Sequence, residues 1–264
     1  MPLIEGIARR DRLVVLAGLA LAAALAWLYL IDMALDMGGD MAGDMGAGSM
    51  AAGGAMMRMQ AWSVTDGLLM WAMWAVMMVA MMVPSAAPMI LIFARVDRSR
   101  SGGRPFGATT LFALGYVSVW AAFSVAATAM QWGLQNAALL SSMMVATSTI
   151  LGGALFLAAG VYQWTPLKYA CLKHCRSPMA FIMGHWRPGG WGAFRMGVGH
   201  GAFCLGCCGV VMGLLFVGGV MNLAWVAAIT VFVVAEKLAP RGEWVARIGG
   251  VAMVAAGVYL LASP

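Results

Sequence analysis

Long apolar runs alternate with short polar, glycine- or proline-bearing connections along nearly the whole chain, and each run is long enough to be a helix. Cutting at charges and turn residues predicts seven: Leu13 to Ile31, Gly67 to Phe93, Phe106 to Met130, Met143 to Tyr162, Met196 to Val217, Leu223 to Leu238 and Trp244 to Leu261. A hydrocarbon core about 30 Å thick needs roughly 20 helical residues per crossing, which most of these supply. The sixth run is the shortest and carries Glu236 and Lys237 near its end, so it is the weakest as a full crossing. The fold class expected is all-α, a polytopic transmembrane helical bundle of about seven helices.

Composition supports this reading. Of 264 residues 63% are hydrophobic and 10% charged, which excludes an ordinary soluble domain. The net charge of +6 comes from Lys and Arg lying between apolar runs, the membrane-protein pattern, so a nucleic-acid face is not expected. All basic residues except Arg58 fall at alternate ends: Arg9, Arg10 and Arg12; Arg95, Arg98, Arg100 and Arg104; Lys168, Lys173, Arg176, Arg187 and Arg195; Lys237, Arg241 and Arg247. This asymmetry predicts a cytoplasmic N-terminus and a C-terminus on the other side. The first run follows three arginines, like a signal peptide, but exceeds the usual apolar segment of about 7 to 15 residues, so an uncleaved helix is expected.

Three units follow: residues 1–31 with the first helix, an extracytoplasmic Asp/Met/Gly-rich loop over 32–65, and a six-helix membrane domain over 66–264. The loop repeats an Asp-Met pair four times at a spacing of four, giving Met33, Met37, Met41 and Met45. In a helix that step drifts only about 40°, a single stripe. Its glycines each cost about 1 kcal/mol in a helix interior, so a mobile segment is expected instead. Thioethers are soft ligands that select Cu(I) over hard cations, and the aspartates add attraction for a cation.

The chain holds 25 methionines, 5 cysteines and 3 histidines, a surplus of soft ligand atoms. In the second run Met70, Met73, Met77 and Met81 share an arc of about 80°, with Met78 and Met82 beside it, so a thioether ladder is expected down one face. Pro84 and Pro88 free carbonyls at its cytoplasmic end and predict a break there. In the fifth run His200, Cys204, Cys207 and Cys208 lie within about 100° of one another, a convergent imidazole and thiol set. An ionisable histidine inside a span is expensive and points to function. Gly197 with Gly201, and Gly209 with Gly213, form two small-xxx-small pairs for close helix approach. Cys171, His174 and Cys175 add a second candidate set beside basic residues on the cytoplasmic side, where disulfides are rare.

Together the segments Met73–Pro84, Tyr162-Gln-Trp-Thr-Pro-Leu-Lys168, Cys171-Leu-Lys-His-Cys-Arg-Ser-Pro178, Cys204-Leu-Gly-Cys-Cys208, Gly219-Val-Met-Asn222 and Glu236-Lys237 resemble a family of bacterial integral membrane proteins described as predicted metal-binding and largely uncharacterised. The resemblance begins near Trp71 and omits the Asp-Met loop. It implies a metal ligand set at the cysteines and a place in the bacterial inner membrane. Where similar proteins carry a bulky aromatic after the cysteine pair, this chain has Gly209.

The function expected is copper handling, with Cu(I) held by Met, Cys and His and transported, stored or delivered. Its partners would be the lipid, the metal ion and a membrane cuproenzyme or metallochaperone. Zinc would take the Cys/His set but gain little from thioethers, and haem is disfavoured by three clustered thiols. Two alternatives stand beside it: a noncatalytic subunit or assembly factor of a membrane enzyme, and a thiol oxidoreductase using Cys204-Leu-Gly-Cys207. An enzymatic role is not required by any motif.

Overall fold

The computed structural model describes residues 2–44, 62–101, 106–141 and 144–263. Among them secondary structure is helical throughout, apart from an isolated bridge between Leu140 and Ala146. The helices are α1 (Pro2–Asp44), α2 (Val64–Ser101), α3 (Phe106–Asn136), α4 (Thr149–Tyr162), α5 (Pro166–Arg176), α6 (Pro178–His185), α7 (Gly189–Met212), α8 (Leu215–Gly218), α9 (Leu223–Leu238) and α10 (Gly242–Ala262). The all-helical expectation is met, and five helical segments are long and apolar enough to cross a membrane: Arg10–Asp36, Val64–Arg100, Phe106–Asn136, Gly189–Gly218 and Gly242–Ala262.

The fourth expected crossing differs. Its helix starts late, because Ser148 caps Thr149–Tyr162 by accepting from the Ile150 amide, and Met143 lies outside the described residues. The resulting 14-residue helix is too short to span alone. It joins α5 across a bend of 65°, and the pair forms a broken span or a re-entrant turn. Thr165 makes the bend by capping α5 through the Lys168 amide, and Pro166 occupies the first helical turn, where its missing N–H costs nothing. The sixth run, α9, has 16 residues and is not among the five.

Two other expectations change. The first half of the Asp-Met segment is helix, not mobile loop, since α1 continues to Asp44. Propagating an existing helix adds a hydrogen bond per residue without a new nucleus, which offsets part of the glycine cost. Residues 45–61 lie outside the described residues. The second run is not broken at its prolines: α2 passes through Pro84 and Pro88 as one helix to Ser101. An Arg98–Asp11 ion pair ties its far end to the start of α1.

α7 lies most closely on α3, and α2 covers α3 in turn. The close approach depends on glycine at two expected positions. A Cβ on Gly197 would strike the Phe112 backbone, and one on Gly201 would meet Val119 at 2.9 Å and the Tyr116 carbonyl at 3.1 Å. Gly115 of α3 answers from the other side, against the Phe194 carbonyl. The second expected pair is looser: Gly209 faces Leu205 of its own helix, and Gly213, just past the end of α7, meets the Val210 carbonyl and, at 3.8 Å, Leu155 of α4. A separate seam joins α4 to α10, where Gly153 meets Gly257 and Gly160 meets Gly250 backbone to backbone.

The basic residues also divide. Lys168 and Lys237 are 1% and 7% exposed, so they are interior groups and not loop charges. Lys168 Nζ donates to both carboxylate oxygens of Glu236, at 2.7 and 2.9 Å, joining α5 to α9. Arg176 fastens the same corner by donating to the Glu236 and Pro240 carbonyls at 2.8 and 2.9 Å.

Gly197→Ala should destabilise the protein by about 1–3 kcal/mol, because backbone cannot yield as a side chain can. Gly133→Ala, which would enter open space on α3, should leave thermal unfolding in detergent unchanged or slightly improved. Glu236→Gln, which strips Lys168 of its counter-charge, should cost about 3–5 kcal/mol. The paired Lys168→Met, Glu236→Leu variant should recover most of that loss in the same measurement.

Candidate metal centre

Helix periodicity puts Cys204, Cys207 and Cys208 on the inner face of α7, and packing against α3 and α5 buries them to 1%, 0% and 0% exposure. The Cys207 and Cys208 thiols donate to the Cys204 carbonyl at 3.1 and 2.9 Å, the usual way a helix satisfies such a group internally. Two further helices bring sulfur to the same place. Met82 of α2 places its Sδ 3.8 Å from Cys208 Sγ, and Cys175 of α5 places its Sγ 3.9 Å from Cys207 Sγ. All five cysteines are free thiols.

Cys204 has the most polar surroundings. Lys237 Nζ of α9 donates to its Sγ at 2.8 Å and to Ser85 Oγ of α2 at 3.0 Å. The Tyr116 hydroxyl of α3 lies 3.1 Å from the same sulfur and 3.2 Å from the Met82 carbonyl. Ser85 in turn donates to that carbonyl at 2.8 Å. Sulfur from α2, α5 and α7 is thus joined to hydroxyl and ammonium groups from α2, α3 and α9 in one buried cluster.

The remaining expected ligands fall into four groups. Met77, Met78 and Met81 are fully buried in α2, with Met73 at 3%, so the thioether face points into the core. His200 shares the cysteine face but lies among rings, with centroids 5.4 Å from Tyr116, 5.7 Å from Phe181 and 6.2 Å from Phe112. Its Nδ1 is buried without a hydrogen-bond partner. Cys171 sits over Gly206, where an added Cβ would be 2.6 Å from its sulfur. His174 turns away, stacked on Phe203 at 4.2 Å with Nδ1 at 2.8 Å from the Ala170 carbonyl. The basic flank expected around this set is largely committed elsewhere, Lys168 to Glu236 and Arg176 to backbone. Met33 packs half-buried against the core. Met37 and Met41 lie within α1 with side chains not described, and Met45 lies outside the described residues.

Among the described residues no group of three or more His, Cys, Asp or Glu forms a ready cage for a metal. A structural zinc site asks for such a closed set. The cluster offers instead thiols and a thioether, the donors that suit a soft monovalent ion. Sequence reasoning missed Tyr116 and Ser85, whose residue types are ordinary in a helical bundle. It used Lys237 for orientation, for the weakness of the sixth run and in the family resemblance, but gave it no place at the site, although a Glu-Lys pair inside an apolar run was the signal to read further.

No curated protein and no solved structure matches the chain. The model of the PpoB2 family, described as copper chaperone, matches residues 71–260, from the thioether face of α2 to the end of α10, and the chain belongs to that family.

Proposed function

We propose that this protein is a membrane-embedded chaperone that takes up Cu(I) and delivers it to a soft-metal acceptor such as a membrane cuproenzyme or metallochaperone. The observation that carries the reading is the convergence of Cys204, Cys207 and Cys208 with Cys175 and Met82 from three helices. Sulfur donors of this kind select Cu(I). Membership of a copper chaperone family supports the same ion.

In this reading Cu(I) approaches along Met73, Met77, Met78 and Met81, a buried file leading to Met82 on the same helix. Neutral thioethers let a cation move between equivalent ligands without a change in protein charge. The cluster then holds it on thiolate sulfur. Cys175 is the outlet, because it sits on the short polar helix α5 and is only half-buried, while its sulfur touches Cys207. The aspartates and methionines at the end of α1 concentrate the ion at the entrance, on the side opposite most of the arginines. His200, with its unpartnered Nδ1, stands ready as a further ligand close to Cys204.

Protein purified in detergent under reducing conditions should carry near-stoichiometric copper by elemental analysis. The Cys204→Ser, Cys207→Ser, Cys208→Ser variant should lose it. X-ray absorption at the copper edge should give a first shell of sulfur. A folded wild type that takes up no Cu(I) when offered sinks the proposal and favours the noncatalytic subunit or the thiol oxidoreductase. Met82→Leu conserves volume, so it should shift stability by less than about 1.5 kcal/mol while weakening Cu(I) binding. Cys175→Ser should retain bound copper but release it more slowly to an external chelator, in stopped-flow measurements.

A further inference from the structure

Lys237 is an ammonium group buried in an apolar interior, and such a charge costs several kcal/mol unless an anion faces it. Its sequence neighbour Glu236 does not serve, since both carboxylate oxygens are bound to Lys168. Consecutive residues on a helix point about 100° apart, so Glu236 turns to α5 while Lys237 turns to α2 and α7. There Nζ lies 2.8 Å from Cys204 Sγ and 3.0 Å from the Ser85 hydroxyl. The other ionisable groups around it are Tyr116, Cys207, Cys208 and His200. The nearest place for its counter-anion is therefore the Cys204 sulfur.

Resting on the copper reading above, we propose that Lys237 is the fixed counter-cation of the Cu(I) site, a positioning and selectivity residue that makes the loaded site electrically neutral. Cu(I) bridging the Cys204 thiolate and a second thiolate from Cys207, Cys208 or Cys175 leaves one net negative charge. The ammonium cancels it. The second thiol gives its proton to solvent as its S–H bond is replaced by a sulfur–copper bond, so one proton leaves for each Cu(I) that enters. No electron is transferred. A divalent ion on the same two thiolates would be neutral with them and would leave the Lys237 ammonium itself uncompensated, in an interior that penalises unpaired charge. Ser85 holds the ammonium at a fixed distance, so the cancellation needs no rearrangement when the ion arrives.

The test uses the full chain in detergent, with Cu(I) affinity measured by competition against a chromogenic Cu(I) chelator and Zn(II) affinity by a fluorescent indicator. Lys237→Met should weaken Cu(I) binding by at least about 30-fold, as expected on truncating one partner of a buried charge pair. Lys237→Arg should restore it to within a few-fold. Zn(II) affinity in Lys237→Met should stay constant or rise, a change of selectivity that general loosening of the fold would not produce. If Lys237→Met does not fold, Lys237→Gln replaces it, with the same loss expected. Wild type that binds Cu(I), beside Met and Gln variants that bind as tightly, overturns the role of Lys237 alone. Wild type that binds no Cu(I) overturns the copper site itself.

Discussion

The requirement that every buried charge find a partner governs the arrangement of the helices around the sulfur cluster. Glu236 and Lys237 are adjacent in an apolar helix, and both are buried. The Glu236 carboxylate holds Lys168 and its backbone carbonyl holds Arg176, which fixes α5 against α9. Lys237 turns about 100° away, to Ser85 of α2 and Cys204 of α7. Two consecutive residues thereby tie three other helices to α9. The same links bring Cys175 to Cys207 and keep the Cys204 sulfur beside an ammonium.

Glycine completes the arrangement. Without side chains at Gly197 and Gly201, α3 and α7 approach until backbone meets backbone at Gly197 and the Val119 side chain at Gly201, which carries the Tyr116 hydroxyl to the Cys204 sulfur. Gly206 does the same for α5, since the Cys171 sulfur occupies the space that a Cβ would take. Close helix approach through small residues is how apolar bundles gain packing where lipid tails offer no hydrophobic drive. Here the packing also sets the distances between donors. Chemistry and stability therefore share residues, and substitutions in this region will rarely separate the two unless they conserve volume or charge.

In the thioether face of α2 the proposed path of the ion and the core are the same residues. Methionine fills irregular gaps among helices, and Met77, Met78, Met81 and Met82 are as buried as any core residue. Burial alone would make them packing. Met82 makes the face continuous with Cys208, and on that continuity the proposed path rests.

Much of this was legible in one dimension. Hydropathy determined that the chain is helical, with helices long and apolar enough to cross a membrane near Leu13 to Ile31, Gly67 to Phe93, Phe106 to Met130, Met196 to Val217 and Trp244 to Leu261, because apolar length is a local property. Helical periodicity determined that Cys204, Cys207 and Cys208 share a face. The sequence also held the clue that ionisable residues in an apolar run need partners, without naming those partners. Only the tertiary structure decided that the fourth run bends at Thr165, that α2 passes through its prolines, and that Cys175 joins the cluster while His174 turns to Phe203. It alone chose Lys168 for Glu236 and Cys204 for Lys237, residues 68 and 33 positions away. Such pairings depend on how helices far apart in sequence rotate and approach, and that is settled by packing and charge satisfaction over the whole bundle, not by any local pattern.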